Sequence, residues 1–278
     1  MKDSREKREG RALRNRAREL YAWKRGFLLP LALLAGLPSL VGGLIGLSLP
    51  EGGWWNGLIS WGITLLAFPL TMGFTRIALT LARDEAPDRE LLHFYRRPAL
   101  LGQALLVGAF MSLPGFCVYP LNLLLAFSRA VEAPDLLFAL LAGLSLLFLV
   151  GCLWFFCRFF LCPYLLILHE GGSAGEIVRD GFTLSSGHTR RIFSFLVWVY
   201  LPFYLLYLLP EALPMLLAGL STPSAVIPWT SMAVQGIRYL LSAAYSPYLE
   251  LSLAGLALSL LPWTNPGIGA GRRRTKGK

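Results

Sequence analysis

The chain has 278 residues, of which 55% are hydrophobic and only 15% are charged, with a mean hydropathy of +0.56 and a net charge of +10. A soluble domain of this length carries far more charged surface, so the composition excludes one and makes the bilayer the expected solvent. A spanning helix needs about 20 mostly apolar residues. The six predicted spans cover residues 27–49, 58–78, 99–127, 136–168, 192–209 and 239–261.

The positive charge is gathered in the segments that all lie on one side of the membrane if six spans are correct. Of the 26 Lys and Arg residues, 23 fall in residues 1–25, in 76–97 at and after the end of the second span, in 169–191 or at the C-terminus. Because cytosolic loops carry an excess of Lys and Arg, both termini are predicted to be cytosolic. Binding of nucleic acid by the basic N-terminus is disfavoured, since no recognisable nucleic-acid fold accompanies it.

The N-terminal residues 1–25 are predicted to form a basic cytosolic tail that lies as an interfacial helix on anionic lipid. Leu13, Ala17 and Leu20 align along one stripe of this helix, and ten Lys or Arg side chains surround them. Each basic residue near an anionic membrane contributes about 1 kcal/mol. The membrane domain is expected to cover residues 26–263, and a second basic cytosolic tail covers 264–278.

The third and fourth spans carry the features that depart most from a simple rod. Pro114 and Pro120 predict that the third span is kinked or broken, and Asn122 can hydrogen-bond the carbonyls that are freed there. The fourth span is longer than the hydrocarbon requires and must tilt or project into the cytosol. Its Arg158 is expected to snorkel to the inner headgroups.

Residues 169–191, which we call the elbow, hold the most specific local pattern in the chain. Ser173 followed three residues later by Glu176 is a capping box, so a short helix is predicted to begin there. Gly187 is suited to a left-handed position that would end this helix. Arg190 and Arg191 directly precede an apolar run and indicate a cytosolic anchor for the fifth span.

Two interpretations of the elbow follow from its sequence. One is an amphipathic connector that lies on the headgroups, and the other is a docking surface for a partner protein. Ser185 and His188 could suggest the nucleophile and base of a serine hydrolase. Two residues so close together at a helix end, however, cannot direct their side chains toward each other as a hydrogen-bonded nucleophile and base must. A similar short interfacial helix, capped by Asp88, is predicted in the cytosolic loop after the second span.

Glu250 is the sharpest anomaly, because it falls near the middle of the predicted sixth span. An ionised carboxylate at the centre of a bilayer costs at least about 2.5 kcal/mol. One interpretation makes Glu250 a proton or substrate contact inside the bundle, with Arg158 as a depth-mismatched partner. The other starts the sixth span near Trp229, bends it at Pro247, and brings Glu250 to the inner interface.

The elbow and its flanks resemble the bacterial integral membrane family of unknown function DUF975, whose pattern is related to membrane domains of glycerophosphoryl diester phosphodiesterases. The resemblance extends over residues 18–261, and its motifs are loose. The residues that carry it are Gly73, Phe94, Pro163, Tyr164, Glu170, Ser173, Glu176, Ser185, Gly187, Arg190, Phe193, Pro247 and Tyr248. This likeness implies a bacterial inner-membrane protein, and it implies no catalytic activity.

The sequence thus predicts an all-α polytopic bundle of six transmembrane helices with short interfacial helices on the cytosolic side. No cofactor, metal or catalytic group is expected. The favoured function is contact with anionic lipid headgroups or with a partner membrane protein at the cytosolic face. The alternative is a small transporter or permease-like subunit, with Glu250 and Asn122 along its path. A cavity reaching Glu250 would favour transport, and a solid bundle would favour the contact role.

Overall fold

The computed structural model describes residues 2–48, 54–86, 90–130, 135–169, 172–218 and 226–261. Within these ranges every regular element is a helix, and no strand is present. The predicted C-terminal tail at 264–278 lies outside them. In chain order the helices are α1 (Lys2–Ser48), α2 (Trp54–Ala82), α3 (His93–Arg96), α4 (Pro98–Ala130), α5 (Asp135–Arg158), α6 (Cys162–Leu168), α7 (Ala174–Ser186), α8 (Thr189–Ala218) and α9 (Val226–Leu260).

Four segments of the described residues are long and apolar enough to cross a membrane, judged by length and composition. They are Arg8–Gly46, Leu58–Ala82, Pro98–Gly115 and Leu136–Leu168. The prediction of an all-helical protein with several membrane-spanning helices is therefore confirmed. The count of six spans and the orientation remain predictions.

The centre of the bundle is the antiparallel pair of α1 and α9, which make the most extensive helix contact. A Cβ on Gly36 of α1 would lie 3.1 Å from the Tyr239 ring of α9. The Tyr239 hydroxyl donates to the Leu33 carbonyl at 2.6 Å, and the Tyr21 hydroxyl donates to the Ala244 carbonyl at 3.0 Å. These bonds fix the two helices along most of their length.

The basic N-terminal segment is part of this pair. Helix α1 runs without interruption from the tail into the first span. Ala17 is buried, and the Leu13 side chain would lie 3.4 Å from a Cβ on Gly255. The stripe predicted to face lipid therefore faces α9, because the last turns of α9 offer it a complementary apolar surface.

Helix α4 is continuous, although the sequence predicted that this span is either kinked or broken. It packs antiparallel to α2, with the Trp61 ring nitrogen donating to the Ser112 hydroxyl at 2.8 Å. The helix passes through Pro114 from Pro98 to Ala130, so the prediction of a broken third span is wrong. Proline is tolerated inside membrane helices when neighbouring groups satisfy the freed backbone atoms.

The predicted fourth span is instead divided into α5 and α6 by a turn at residues 159–161. The cause is Pro163, which occupies the first turn of α6. In an uninterrupted helix its missing amide would leave the Phe159 carbonyl unpaired, and its ring would clash there. The Cys162 amide donates to that carbonyl at 3.0 Å instead. The predicted span over 136–168 is still one candidate membrane segment, with a turn between its two helices.

The loop between α2 and α4 contains the short helix α3, but it begins at His93, so the prediction of a helix that Asp88 caps and that carries Leu91 and Leu92 is wrong. Its N-cap is Leu92, which makes no side-chain cap, while Asp88 lies outside the described residues. Leu91 and the fully buried Phe94 hold the loop against α2. Tyr95 donates its hydroxyl to the Leu66 carbonyl, and burial raises the pKa of this hydroxyl, so it stays a donor.

Candidate functional site

Glu250 lies where α9 meets α2. The Thr75 hydroxyl of α2 donates to Glu250 Oε2 at 3.1 Å, and Thr75 is only 2% exposed. These two residues could not be paired from the sequence, because a threonine in an apolar helix usually bonds its own backbone. The pair therefore depends on the packing of α2 against α9.

A cavity of about 230 Å³ opens beside Glu250 between α1, α2 and α9, and we call it the central cavity. Its polar side chains are Ser39, Thr71, Gln235, Arg238, Ser242, Ser246 and Glu250. Ser39, Thr71 and Gln235 also line a second cavity of about 660 Å³, the distal cavity, which extends along α1 and α2 toward Gly46 and Ser60. Together the two cavities form a polar seam that ends at Glu250.

A third cavity, the proximal cavity, lies on the same three helices at the other side of Glu250. Its volume is about 610 Å³, and its lining includes Arg16, Arg83 and Ser259. Between the central and proximal cavities each helix contributes one apolar residue that is 0% exposed. These residues are Leu28 of α1, Ala78 of α2 and Ala254 of α9, and we call them the apolar layer.

Helical spacing supports this assignment of the layer. Ala78 lies four residues after Phe74, which lines the central cavity, and four before Ala82, which lines the proximal cavity. Residues four apart share one face of a helix. Ala254 stands in the same relation to Glu250 and Leu258 on α9. On α9 the proximal cavity already includes Leu251 and Gly255, so Ala254 lies beside it, and the layer separates the two cavities on α1 and α2.

The other two candidates from the sequence are not brought to this seam. Arg158 ends α5, with its guanidinium 5.3 Å from the Trp154 ring and 5.1 Å from the Phe182 ring. It is absent from the described lining of the central cavity. Its proposed pairing with Glu250 is therefore wrong. Asn122 lies on α4, and its side chain falls outside the described residues.

The start of the elbow helix agrees with its prediction. The Glu176 amide donates to Ser173 Oγ at 3.2 Å, and the Ser173 amide donates to Glu176 Oε2 at 3.0 Å. Both bonds of the capping box are present, so α7 begins where the sequence indicated. Its buried stripe is Ile177, Gly181 and Ser185, which packs on the bundle while the opposite face is exposed.

We expect Ser173→Ala to weaken the start of α7. Loss of an N-cap hydroxyl costs about 1 kcal/mol, because one amide of the first turn is left without its acceptor. Hydrogen exchange of the α7 amides should become faster. Ser186→Ala is the matched control, since Ser186 donates only to the Thr183 carbonyl of its own helix. Equal exchange in both variants would contradict the prediction.

The end of α7 differs from its prediction. Gly187 is the C-cap, but its φ of −74° and ψ of −11° are right-handed. The left-handed conformation is therefore wrong. The His188 amide donates to the Ser185 carbonyl at 3.0 Å, and the Ile192 amide donates to the His188 carbonyl at 3.0 Å. A tight right-handed turn leads directly into α8, so no left-handed reversal is needed.

Ser185 has a buried position that its sequence context did not indicate. The residue is 0% exposed, and its Oγ has no hydrogen-bond partner among the described residues. His188, by contrast, is exposed.

Arg190 and Arg191, at the start of α8, meet two arginines from the N-terminal part of α1. They line a pocket of about 320 Å³ together with Arg11, Arg14 and Trp198, and we call it the arginine pocket. Arg191 contacts Glu9 at 3.3 Å and donates to Ser259 Oγ at 3.1 Å. The sequence shows Arg11 and Arg14 three apart on one helix face, but not that this face meets α8.

Comparison of the chain with protein-family models, with curated proteins and with solved structures found no match in any of the three. The resemblance to the DUF975 family accordingly stays a prediction. Within the described ranges no group of three or more His, Cys, Asp or Glu side chains is arranged to hold a metal ion.

Proposed function

We propose that this is a multi-pass membrane protein that moves a small polar solute along the seam between α1, α2 and α9. The observation that carries the proposal is the polar seam itself, which ends at Glu250 and is separated from the proximal cavity by the apolar layer. Two cavities on one set of helices, with an apolar barrier between them, are the arrangement that alternating access requires. A solid bundle would have favoured the contact role instead.

In this proposal, the cytosolic end of the bundle is the end that carries the ion pairs. Arg16 with Asp84 and Arg191 with Glu9 are both at this end. The positive-inside rule supports this orientation. Helices α8 and α9, of 30 and 35 residues, then complete six spans with both termini in the cytosol.

The helix boundaries support a position for Glu250 near the cytosolic side. Helix α9 begins at Val226 rather than near Tyr239, so Glu250 lies about 36 Å from its start at 1.5 Å per residue. Glu250 is about 13 Å before Ser259, which contacts Arg191. The hydrocarbon core is about 30 Å thick. These lengths favour the start of the sixth span near Trp229 that the second interpretation gave, whereas the hydrogen bond to the buried Thr75 supports the solute-contact role of the first.

The charges of the seam indicate the solute class. Glu250 is the acidic group of the central cavity, and Thr75 donates a hydrogen bond to it. Glu250 also lines an apolar cavity of about 510 Å³ beside Tyr164 and Tyr200. Arg238 lines the same cavity, with its guanidinium 4.9 Å from the Tyr207 ring. A small solute with an amino or ammonium group would find its partner at Glu250, and the serine hydroxyls would replace part of its hydration.

Labelling with a membrane-impermeant thiol reagent tests the seam. In a Cys117→Ser background, which removes the exposed native thiol, Ser242→Cys should react from outside the cell and Ser259→Cys only from the cytosol. Ala254→Cys in the apolar layer should react from neither side. Reaction of Ser242→Cys from the cytosol alone, or free reaction of Ala254→Cys, would overturn the proposal.

The solute class is tested with ammonium, glycine and choline as probes. We expect at least one of them to raise the thermal unfolding midpoint of the purified protein, because a ligand at 100 times its Kd stabilises by about 2.7 kcal/mol. Glu250→Gln should lose this stabilisation. Glu85→Gln removes an exposed carboxylate from the proximal cavity and should retain it. Equal responses of the two variants would exclude Glu250 as the contact.

A further inference from the structure

The arginine pocket is built from two segments that are far apart in the chain. Arg11 and Arg14 come from α1, and Arg190 and Arg191 come from the first turn of α8. Ser194 and Phe195 complete its α8 wall. Four guanidinium groups therefore line one pocket of about 320 Å³ at the end of the bundle that carries the ion pairs.

Acidic side chains offset only part of this charge. Glu6 lines the pocket, and Glu9 contacts Arg191 at 3.3 Å. Among the described residues, the four arginines and two glutamates named here leave an excess of two positive charges. Like charges held together are costly unless an anion neutralises them, so the pocket favours an anionic occupant. Guanidinium groups bind phosphate through paired hydrogen bonds, and this makes phosphate the best-matched anion.

One wall of the pocket is aromatic. The Arg14 guanidinium lies 5.8 Å from both the Phe195 ring and the Trp198 ring. Trp198 is 64% exposed, although it is large and mainly apolar. Tryptophan at such a position is typical of the membrane interface, where its ring lies at the level of the headgroups. The pocket thus offers cationic groups for a phosphate beside an apolar surface for the start of an acyl chain.

We propose that the arginine pocket is a phosphate-binding site whose occupant is the headgroup of an anionic phospholipid. Basic pockets between membrane helices on the cytosolic side have this chemistry. A soluble phosphate ester would use the same guanidinium groups but would leave the aromatic wall unused. The arginine pocket is separate from the polar seam. A failure of the transport proposal therefore does not affect this one.

The test uses the purified full chain in phosphatidylcholine nanodiscs with and without phosphatidylglycerol, and native mass spectrometry counts the retained lipid. We expect the protein to retain phosphatidylglycerol in preference to phosphatidylcholine. Arg11→Gln with Arg14→Gln should lower this retention at least about tenfold, because each basic residue contributes about 1 kcal/mol. A second arm adds inorganic phosphate as the probe and measures its binding directly.

The matched control removes the same charge elsewhere. Arg25→Gln with Arg179→Gln changes two exposed arginines that do not line the pocket, and it should retain phosphatidylglycerol. Arg11→Lys with Arg14→Lys keeps the charge but loses the paired hydrogen bonds, so it should give an intermediate loss. An unchanged thermal midpoint shows that each variant is folded.

The outcomes separate the two sources of phosphate. Retention of phosphatidylglycerol that depends on Arg11 and Arg14, without binding of inorganic phosphate, supports the lipid headgroup. Binding of inorganic phosphate with the same arginine dependence, and no preference for phosphatidylglycerol, would keep the phosphate site and overturn the lipid occupant. If the pocket and control variants lost phosphatidylglycerol and phosphate binding equally, or if neither lost any, the proposal of a phosphate-binding site in the arginine pocket would be overturned.

Discussion

Gly73→Ala should lower the free energy of unfolding by roughly 3 kcal/mol, the upper end of the usual cost of overpacking. A Cβ on Gly73 would lie 1.9 Å from the Leu91 carbonyl oxygen and 2.8 Å from its carbon. Both atoms belong to the backbone, so no side chain can rotate away. The loop that carries α3 would have to separate from α2, and the buried Phe94 would lose part of its contact.

Reversible unfolding in detergent, followed by circular dichroism, measures this loss. Gly62→Ala is the control on the same helix, because nothing lies within 4 Å of its Cβ. It should be neutral or stabilising by up to about 1 kcal/mol, since alanine is the better helix former. Equal stability of the two variants would show that α2 and the loop are not packed as described.

Gly181→Ala should cost about 2 kcal/mol for a related reason at the elbow. Its Cβ would lie 2.4 Å from Cys162 Sγ and 3.2 Å from the Cys162 amide nitrogen. The closest atom here belongs to a side chain, so part of the cost can be relieved. The Cys162 amide cannot move in the same way, because it donates to the Phe159 carbonyl and closes the turn before α6.

A double-mutant cycle separates these two contributions. Cys162→Ala removes the sulfur, so Gly181→Ala should cost less in that background, with a coupling of about 1 kcal/mol. Gly175→Ala, on the same helix with nothing within 4 Å, is the control and should not destabilise the protein. Purely additive effects of Gly181→Ala and Cys162→Ala would contradict the close packing of α7 on α6.

Local patterns predicted the parts of the fold that depend on neighbours in sequence. The capping box at Ser173 and Glu176 needs only three residues and one helical turn, so its prediction is confirmed. The apolar composition likewise predicted membrane-spanning helices without reference to packing. Helix boundaries were less accurate. Pro163 ended α5 as a proline can, whereas Pro114 did not interrupt α4, and the identity of the residue alone does not distinguish these outcomes.

In the candidate site, too, some residues were evident from the sequence and others were brought together only by packing. Glu250 was evident from the sequence, because a carboxylate in an apolar run is costly wherever it lies. Its partner Thr75 was not, since the two residues are 175 positions apart and only the packing of α2 on α9 joins them. The arginine pocket could not be predicted from the sequence either, because it exists only where α1 packs beside α8.

The amino-acid sequence by itself determined that this protein is helical, apolar and basic at its charged segments, because composition and helical periodicity act within a few turns of one chain. Only the tertiary structure decided that the apolar stripe of the basic N-terminal segment faces α9 instead of lipid, and that the central cavity ends at Glu250. Such features depend on which helix faces become neighbours. That choice is made by side-chain fit between distant segments, at contacts such as Gly36 with Tyr239 and Gly73 with Leu91.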